Sequence, residues 1–223
     1  AAERNVVSGN GYRGIFFVDV DGSAITGNFI GTDASGAMDV SGTAVNLNQS
    51  GIVLSTGSDG NVIGGTTAAA RNVISGNNHF GVEFQFGSQN NRLEGNFIGA
   101  TVTGLSALGN LSGGVSYWSA GSGNVTGGGA AGAGNVISGN GGMGVLVGNA
   151  SNGAVIQGNV IGLGVDGDPV LANGGSGVVV RDASTNTLLG TDGNGANDAA
   201  ERNLIAGNLN DGISIDGVGA TGT

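Results

Sequence analysis

Arg71-Asn-Val-Ile-Ser-Gly-Asn77 decides how this chain folds, because the segment occurs in four versions. Arg4-Asn-Val-Val-Ser-Gly-Asn10, Gly134-Asn-Val-Ile-Ser-Gly-Asn140 and Arg202-Asn-Leu-Ile-Ala-Gly-Asn208 are the others. Their leading asparagines, at 5, 72, 135 and 203, stand 67, 63 and 68 residues apart. A second motif falls between them, in Thr26-Gly-Asn-Phe-Ile-Gly31, Glu94-Gly-Asn-Phe-Ile-Gly99 and Gln157-Gly-Asn-Val-Ile-Gly162. Self-similarity at a long, steady period marks an architecture of stacked units that share one core.

A finer period lies inside it. Glycines that open a repeated Gly-[Ile/Val] pair stand at 14, 51, 81, 114, 144, 177 and 212, with gaps of 37, 30, 33, 30, 33 and 35. Long and short units alternate, two to a super-repeat. After each of these glycines the first and third residues are Ile15/Phe17, Ile52/Leu54, Val82/Phe84, Val115/Tyr117, Val145/Val147, Val178/Val180 and Ile213/Ile215. All are apolar or aromatic at period two, which is the strand signal. Two further columns follow, Ile25, Ile63, Leu93, Thr126, Ile156, Leu188 and Val7, Ile74, Ile137, Ile205. Three apolar columns per unit, separated by Gly and Asn corners, describe a three-faced coil. One such coil cannot offset its own ordering entropy, about 1–2 kcal/mol per residue. Stacking must close the columns into a continuous core. The expected fold is all-β: a parallel β-helix of about six to seven coils. Asn10, Asn28, Asn77, Asn96, Asn140, Asn159 and Asn208 each follow Gly and should form amide ladders up the corners.

The run Gly-Val…Asn-x-Ile-x-Gly-Asn-x-Ile-Gly…Asn-Val-Ile-Ser-Gly-Asn resembles the parallel β-helix repeats of secreted and surface proteins of bacteria, in the pectate-lyase-like superfamily. The resemblance covers essentially the whole chain and implies a right-handed coil. It implies little about activity, because that architecture carries lyases, hydrolases, tailspikes, adhesins and passive stalks.

Composition narrows the function classes. Of 223 residues 50 are Gly, 26 are Asn and one is Pro, which excludes collagen, whose Gly recurs every third residue with abundant Pro. The net charge is −10, and all six basic residues are scattered arginines, so no basic surface for nucleic acid is expected. Zero Cys excludes thiol catalysis and thiolate metal sites. No run of 18 apolar residues occurs, so no helical membrane insertion is expected.

Candidate chemistry is sparse. Asp19-Val-Asp21, Asp166-Gly-Asp168 and the loop Asp192-Gly-Asn194-Gly-Ala-Asn197-Asp198 invite a calcium reading, the 192–198 loop most. None has the twelve-residue spacing with a terminal Glu, and Asp and Gly also make good turns. A lyase or hydrolase needs convergent carboxylates, and the acidic pairs do not recur as columns. His79 is the only histidine; a Ser-His-Asp site could be built on it, but one His among abundant Ser and Asp carries almost no information. Arg4, Arg71 and Arg202 form a column explained by ion pairs or by backbone carbonyl contacts. Phe16, Val53, Trp118, Leu146 and Val179 are apolar where the alternation points to solvent, and form a candidate contact surface. Loop insertions follow Thr32, Ala100 and Leu163 in long units, and fill Gly65–Arg71, Gly128–Gly134 and Gly190–Arg202 in short ones; stacked on one edge, they are where a binding site is expected.

These readings give a single domain over 1–223, expected to be a segment of a longer repeat array or to stack end to end with copies of itself. The expected role is a non-catalytic structural or adhesive segment of an exported bacterial surface protein, extracellular or at the cell surface. Its expected partners are neighbouring repeats, lateral copies or a glycan. The alternative is a polysaccharide lyase or hydrolase, or a carbohydrate-binding β-helix, with its site in the stacked loops.

Overall fold

A computed structural model describes residues 3–40, 47–168 and 170–217. It is a parallel β-solenoid, and among the described residues there is no helix. The chain visits three faces in strict rotation. The first sheet stacks Val6–Val7, Phe29–Ile30, Val73–Ile74, Phe97–Ile98, Val136–Ile137, Val160–Ile161 and Leu204–Ile205. The second stacks the longer strands Arg13–Val18, Ser50–Ser55, Phe80–Gln85, Gly113–Trp118, Met143–Gly148, Val178–Val180 and Ile213–Ile215. The third stacks Ala24–Ile25, Val62–Gly64, Arg92–Glu94, Val125–Gly127, Val155–Gln157 and Leu188–Leu189. Six coils are complete, and Leu204–Ile205 with Ile213–Ile215 begins a seventh.

The predicted columns are the core. Ile52, Val82, Val115, Val145 and Val178 pair in register with one another and are buried, as are Leu54, Phe84, Tyr117, Val147 and Val180. One assignment is corrected. Ile156 pairs with Leu189, and it is Leu189 that packs on the core; Leu188 pairs with Val155 on the outer side. A strand's faces alternate residue by residue, so a slip of one position exchanges inside for outside. Tyr117 and Thr126 explain each other. Their hydroxyls meet at 2.6 Å in the core, so the polar member of an otherwise aliphatic column satisfies the buried phenol.

Asparagine ladders hold two corners over the full described length. In one, each side-chain amide donates to the side-chain oxygen of the next along Asn5, Asn28, Asn72, Asn96, Asn135, Asn159 and Asn203. In the other the order is Asn10, Asn48, Asn77, Asn110, Asn140, Asn173 and Asn208. The seven asparagines expected from sequence all take part, divided between these two. A third, shorter ladder runs Asn61–Asn91–Asn124.

The paired glycines 14, 51, 81, 114, 144 and 177 are not in left-handed conformation; each lets the next coil approach. A Cβ on Gly114 would stand 2.4 Å from Ile137 Cγ2 and 2.6 Å from the Gly144 carbonyl oxygen.

The insertions also stack. Each long-unit loop closes with an antiparallel bridge, Thr32 to Asp39, Ala100 to Ala107 and Leu163 to Val170. Val102 N donates to Gly36 O at 2.8 Å, and Val165 N to Gly104 O at 3.0 Å. The serine of the fourfold motif supports the loop root above it. Ser75 Oγ donates to Ala100 O at 2.8 Å and accepts from Gly99 N at 3.0 Å.

Candidate functional site

Two cavities lie on the outer face of the second sheet, whereas the sequence points to the loops. They hold about 510 Å³ and about 500 Å³ and meet at His79, Glu83 and Gln85. The first is polar and opens toward Arg13, Gln49 and Asn78. The second is walled by Phe80, Phe86, Trp118, Met143 and Leu146, with Arg181 at its far rim.

Glu83 is the centre of the groove. Its place in the strand points outward, yet it is only 5% exposed. Burial alone would raise its pKa. Hydrogen bonds donated by His79, Ser50 and Gln85, with the His79 charge, outweigh burial and hold the carboxyl below its ordinary value. His79 Nδ1 lies 3.2 Å from Glu83 Oε1, and Gln85 Nε2 donates to Oε2 at 2.7 Å. Ser50 Oγ donates to Oε1 from the coil below. The bond to Glu83 correspondingly raises the His79 pKa against a smaller effect of burial. His79 is therefore the partner of a buried acid. The sequence does carry a signal for it: Glu83 is the one charge in an outward column that otherwise reads Phe16, Val53, Ser116, Leu146, Val179, Ser214.

The five apolar residues expected on the surface divide. Phe16 and Trp118 are exposed, at 47% and 36%. Val53, Leu146 and Val179 are buried, which corrects their reading as solvent-facing. Coils about 4.8 Å apart place a side chain directly above and below each outward residue. Leu146 and Val179 thereby join Phe80 and Met143 in a small cluster outside the core. Only Trp118 and Leu146 of the five line the groove.

The arginine column contacts backbone carbonyls, one of the two arrangements expected for it. Arg4 Nη1 donates to Arg71 O at 2.8 Å, and Arg71 Nε to Gly95 O at 3.0 Å. The rings beneath the guanidiniums are not evident from the column itself. Arg4 lies over Phe29 and Arg71 over Phe97, 4.9 and 4.1 Å from the ring centroids. Where Gly134 replaces the arginine, Val160 replaces the phenylalanine.

The acidic segments form turns. Asp21 Oδ1 accepts from Asp59 N at 2.9 Å, and Asp166 Oδ1 from Asp168 N at 3.2 Å. In the 192–198 loop, Asp192, Asp198 and Glu201 bring one oxygen each within 4.8 Å of one another. Their oxygens accept bonds from the loop itself: Asp192 from Asn194, Asp198 from Gly195 N, and Glu201 from Asp192 N.

Comparison with family models, with curated proteins and with solved structures returned no match.

Proposed function

We infer that this chain is a non-catalytic structural or adhesive segment of an exported surface protein of the bacterial type. The observation that carries the reading is axial continuity. Three parallel sheets and two complete amide ladders run through every described coil, and insertions of different length leave them intact. A rod so built transmits load along its axis and presents its faces laterally to copies of itself, to neighbouring repeats or to a glycan. Against the lyase and hydrolase alternative, Glu83 is the only carboxylate lining the two cavities among the described residues, whereas glycosidic cleavage uses a pair.

Incubation with uronate and neutral polysaccharides is expected to give neither unsaturated products nor new reducing ends. Product that disappears in Glu83→Gln would overturn the reading and place an enzyme in the groove. The rod is also expected to need no metal. Its melting temperature should be the same in chelator as in calcium, because hydrogen-bonded sheets and the apolar core account for its cohesion. A fall of tens of degrees in chelator would instead make the 192–198 loop a structural calcium site.

A further inference from the structure

One donor in the groove has no acceptor. Four buried side-chain polar atoms lack a hydrogen-bond partner among the described residues: the hydroxyls of Ser88, Ser184 and Thr187, and Nε of Arg181. The hydroxyls line neither cavity, whereas Arg181 lines the apolar one of about 500 Å³. A buried donor left unpaired loses its hydration without return, and a charged one loses more. The other arginines avoid this. Arg4, Arg71 and Arg202 donate to backbone carbonyls, and Arg92 donates to Glu94. Arg13 lies over the rings of Tyr12 and Phe16, 4.1 and 4.0 Å from their centroids. Arg181 has one neighbour of opposite charge: its Nε is 3.2 Å from Asp182 Oδ2, without the alignment of a hydrogen bond. The Asp182 side chain is half exposed, so water screens that contact. The guanidinium donates no hydrogen bond among the described residues, and a planar fork of N–H groups is left for an acceptor.

The rest of the cavity is apolar or already compensated. Glu83 is its only carboxylate, and it is paired with His79 and bonded by Ser50 and Gln85. The charged groups lining the cavity are His79, Glu83 and Arg181, so the one left over is positive. The walls are Phe80, Phe86, Trp118, Met143 and Leu146. Phe86 stands at the corner after the third coil's long strand, with φ at +46°, and is 57% exposed. Its siblings at that corner, Asp19, Thr56, Ser119, Asn149 and Asp182, are small or polar. A bulky residue in the left-handed region is uncommon and strained. The outward column beside it runs Gln85, Trp118, Gly148, Arg181 from coil to coil. Gly148 puts no side chain between the indole and the guanidinium, whose backbones stand two coils, roughly 10 Å, apart.

We propose that this cavity binds an amphiphilic carboxylate, its anionic head taking hydrogen bonds from Arg181 and its apolar body lying against Trp118, Phe86 and Leu146. A guanidinium meets a carboxylate through two parallel N–H donors, the strongest pairing open to an arginine. Apolar walls with one placed polar group are the usual make-up of a small-molecule site, the walls supplying affinity and the polar group orientation. The proposal is independent of the structural role, and either can fail alone.

Trp118 is the chain's only tryptophan, so its fluorescence reports on the cavity directly. Titration of the whole chain with octanoate, below the concentration at which it forms micelles, is expected to give a saturable change. Octanamide has the same shape without the charge and should bind about tenfold more weakly or worse, and octylammonium no better than octanamide. Arg181→Met keeps an apolar stem and removes the donors, so it should weaken octanoate about tenfold or more and leave octanamide as it was. Asp182→Asn removes the competing carboxylate and should tighten octanoate. Phe86→Ser, which installs the residue the fourth coil carries at that corner, should weaken octanoate and octanamide alike, several-fold. It tests the apolar wall without touching Arg181. The absence of a saturable response to octanoate would overturn the proposal. Equal affinity for octanamide, tighter binding of octylammonium, or wild-type affinity in folded Arg181→Met would do the same. Saturation by galacturonate without any by octanoate would also overturn it, and would give the groove to an acidic glycan.

Discussion

Leu54→Asp is expected to prevent folding of the chain, or to lower its melting temperature by tens of degrees. Leu54 is completely buried and pairs in register with Phe17 below and Phe84 above. Truncating a buried leucine costs about 2–5 kcal/mol. An ionised carboxylate left without a partner there adds several kcal/mol more. A domain's whole stability is about 5–15 kcal/mol, so the two together reach its lower range. The solenoid sharpens the effect. Coils touch only their neighbours, and a coil opened in the second position separates the first from the remaining stack. Val147→Asp, fully buried three coils further along, should behave alike. The control is Val18→Asp, at an outward position that is 46% exposed, with an expected change under about 1 kcal/mol. Ser55, the outward neighbour that the alternation suggests, is a poor control because it is itself covered. Thermal melts followed by circular dichroism decide. Equal melting temperatures for Leu54→Asp and Val18→Asp would refute the register.

The inward half of this fold is legible in the sequence because it follows from local rules. Period-two apolar residues at every paired Gly identify the strands, and the repeat spacing stacks them without any knowledge of tertiary contacts. The asparagines are legible for the same reason, since a residue that tolerates left-handed corners and recurs coil by coil has its own copy as neighbour. The outward half is not. Alternation says that Val53, Leu146 and Val179 leave the core, but not that side chains from adjacent coils cover them. The groove escapes a reading along the chain because its key contact crosses a corner. His79 and Glu83 are four residues apart, which in an extended strand is about 13 Å. The bend before Phe80–Gln85 returns the imidazole to within 3.2 Å of the carboxylate. A lone histidine read along the chain carries almost no information. The same histidine becomes informative once Glu83 is seen as the single charge in its column, a comparison across coils.

The second large effect is expected from one atom's exchange in the amide ladder, Asn140→Asp. Asn140 is buried, accepts from Asn110 N at 3.2 Å and Asn110 Nδ2 at 3.0 Å, and donates Nδ2 to Asn173 Oδ1 at 2.9 Å and Ile98 O at 3.1 Å. Aspartate fits the space and keeps the two bonds it accepts. It then turns an oxygen toward two oxygens and buries a charge. Breaking a buried polar arrangement in this way costs about 3–5 kcal/mol, which for a domain of this size is a fall on the order of 10 °C. Asn140→Ala should cost less, because it orphans polar groups without adding charge. Asn10→Asp, at the exposed first rung, should cost under about 1 kcal/mol. The signature is in the pH dependence. Burial raises the pKa of the introduced carboxyl in the folded state above its unfolded value, so the penalty is present when both states are ionised and fades as pH falls through the folded pKa. The protonated acid also regains an O–H donor toward Asn173. The variant should therefore approach wild type on acidification, and Asn140→Ala should not. Melting curves of the three variants across the acid range would show it, and a deficit for Asn140→Asp that is constant with pH would sink the ladder as the cause. The ladder is the element to test because consecutive rungs are separated by anything from 23 to 44 residues, Asn5 to Asn28 and Asn28 to Asn72, and still meet. Loops of any length can be inserted between corners as long as each corner returns an amide to the same place.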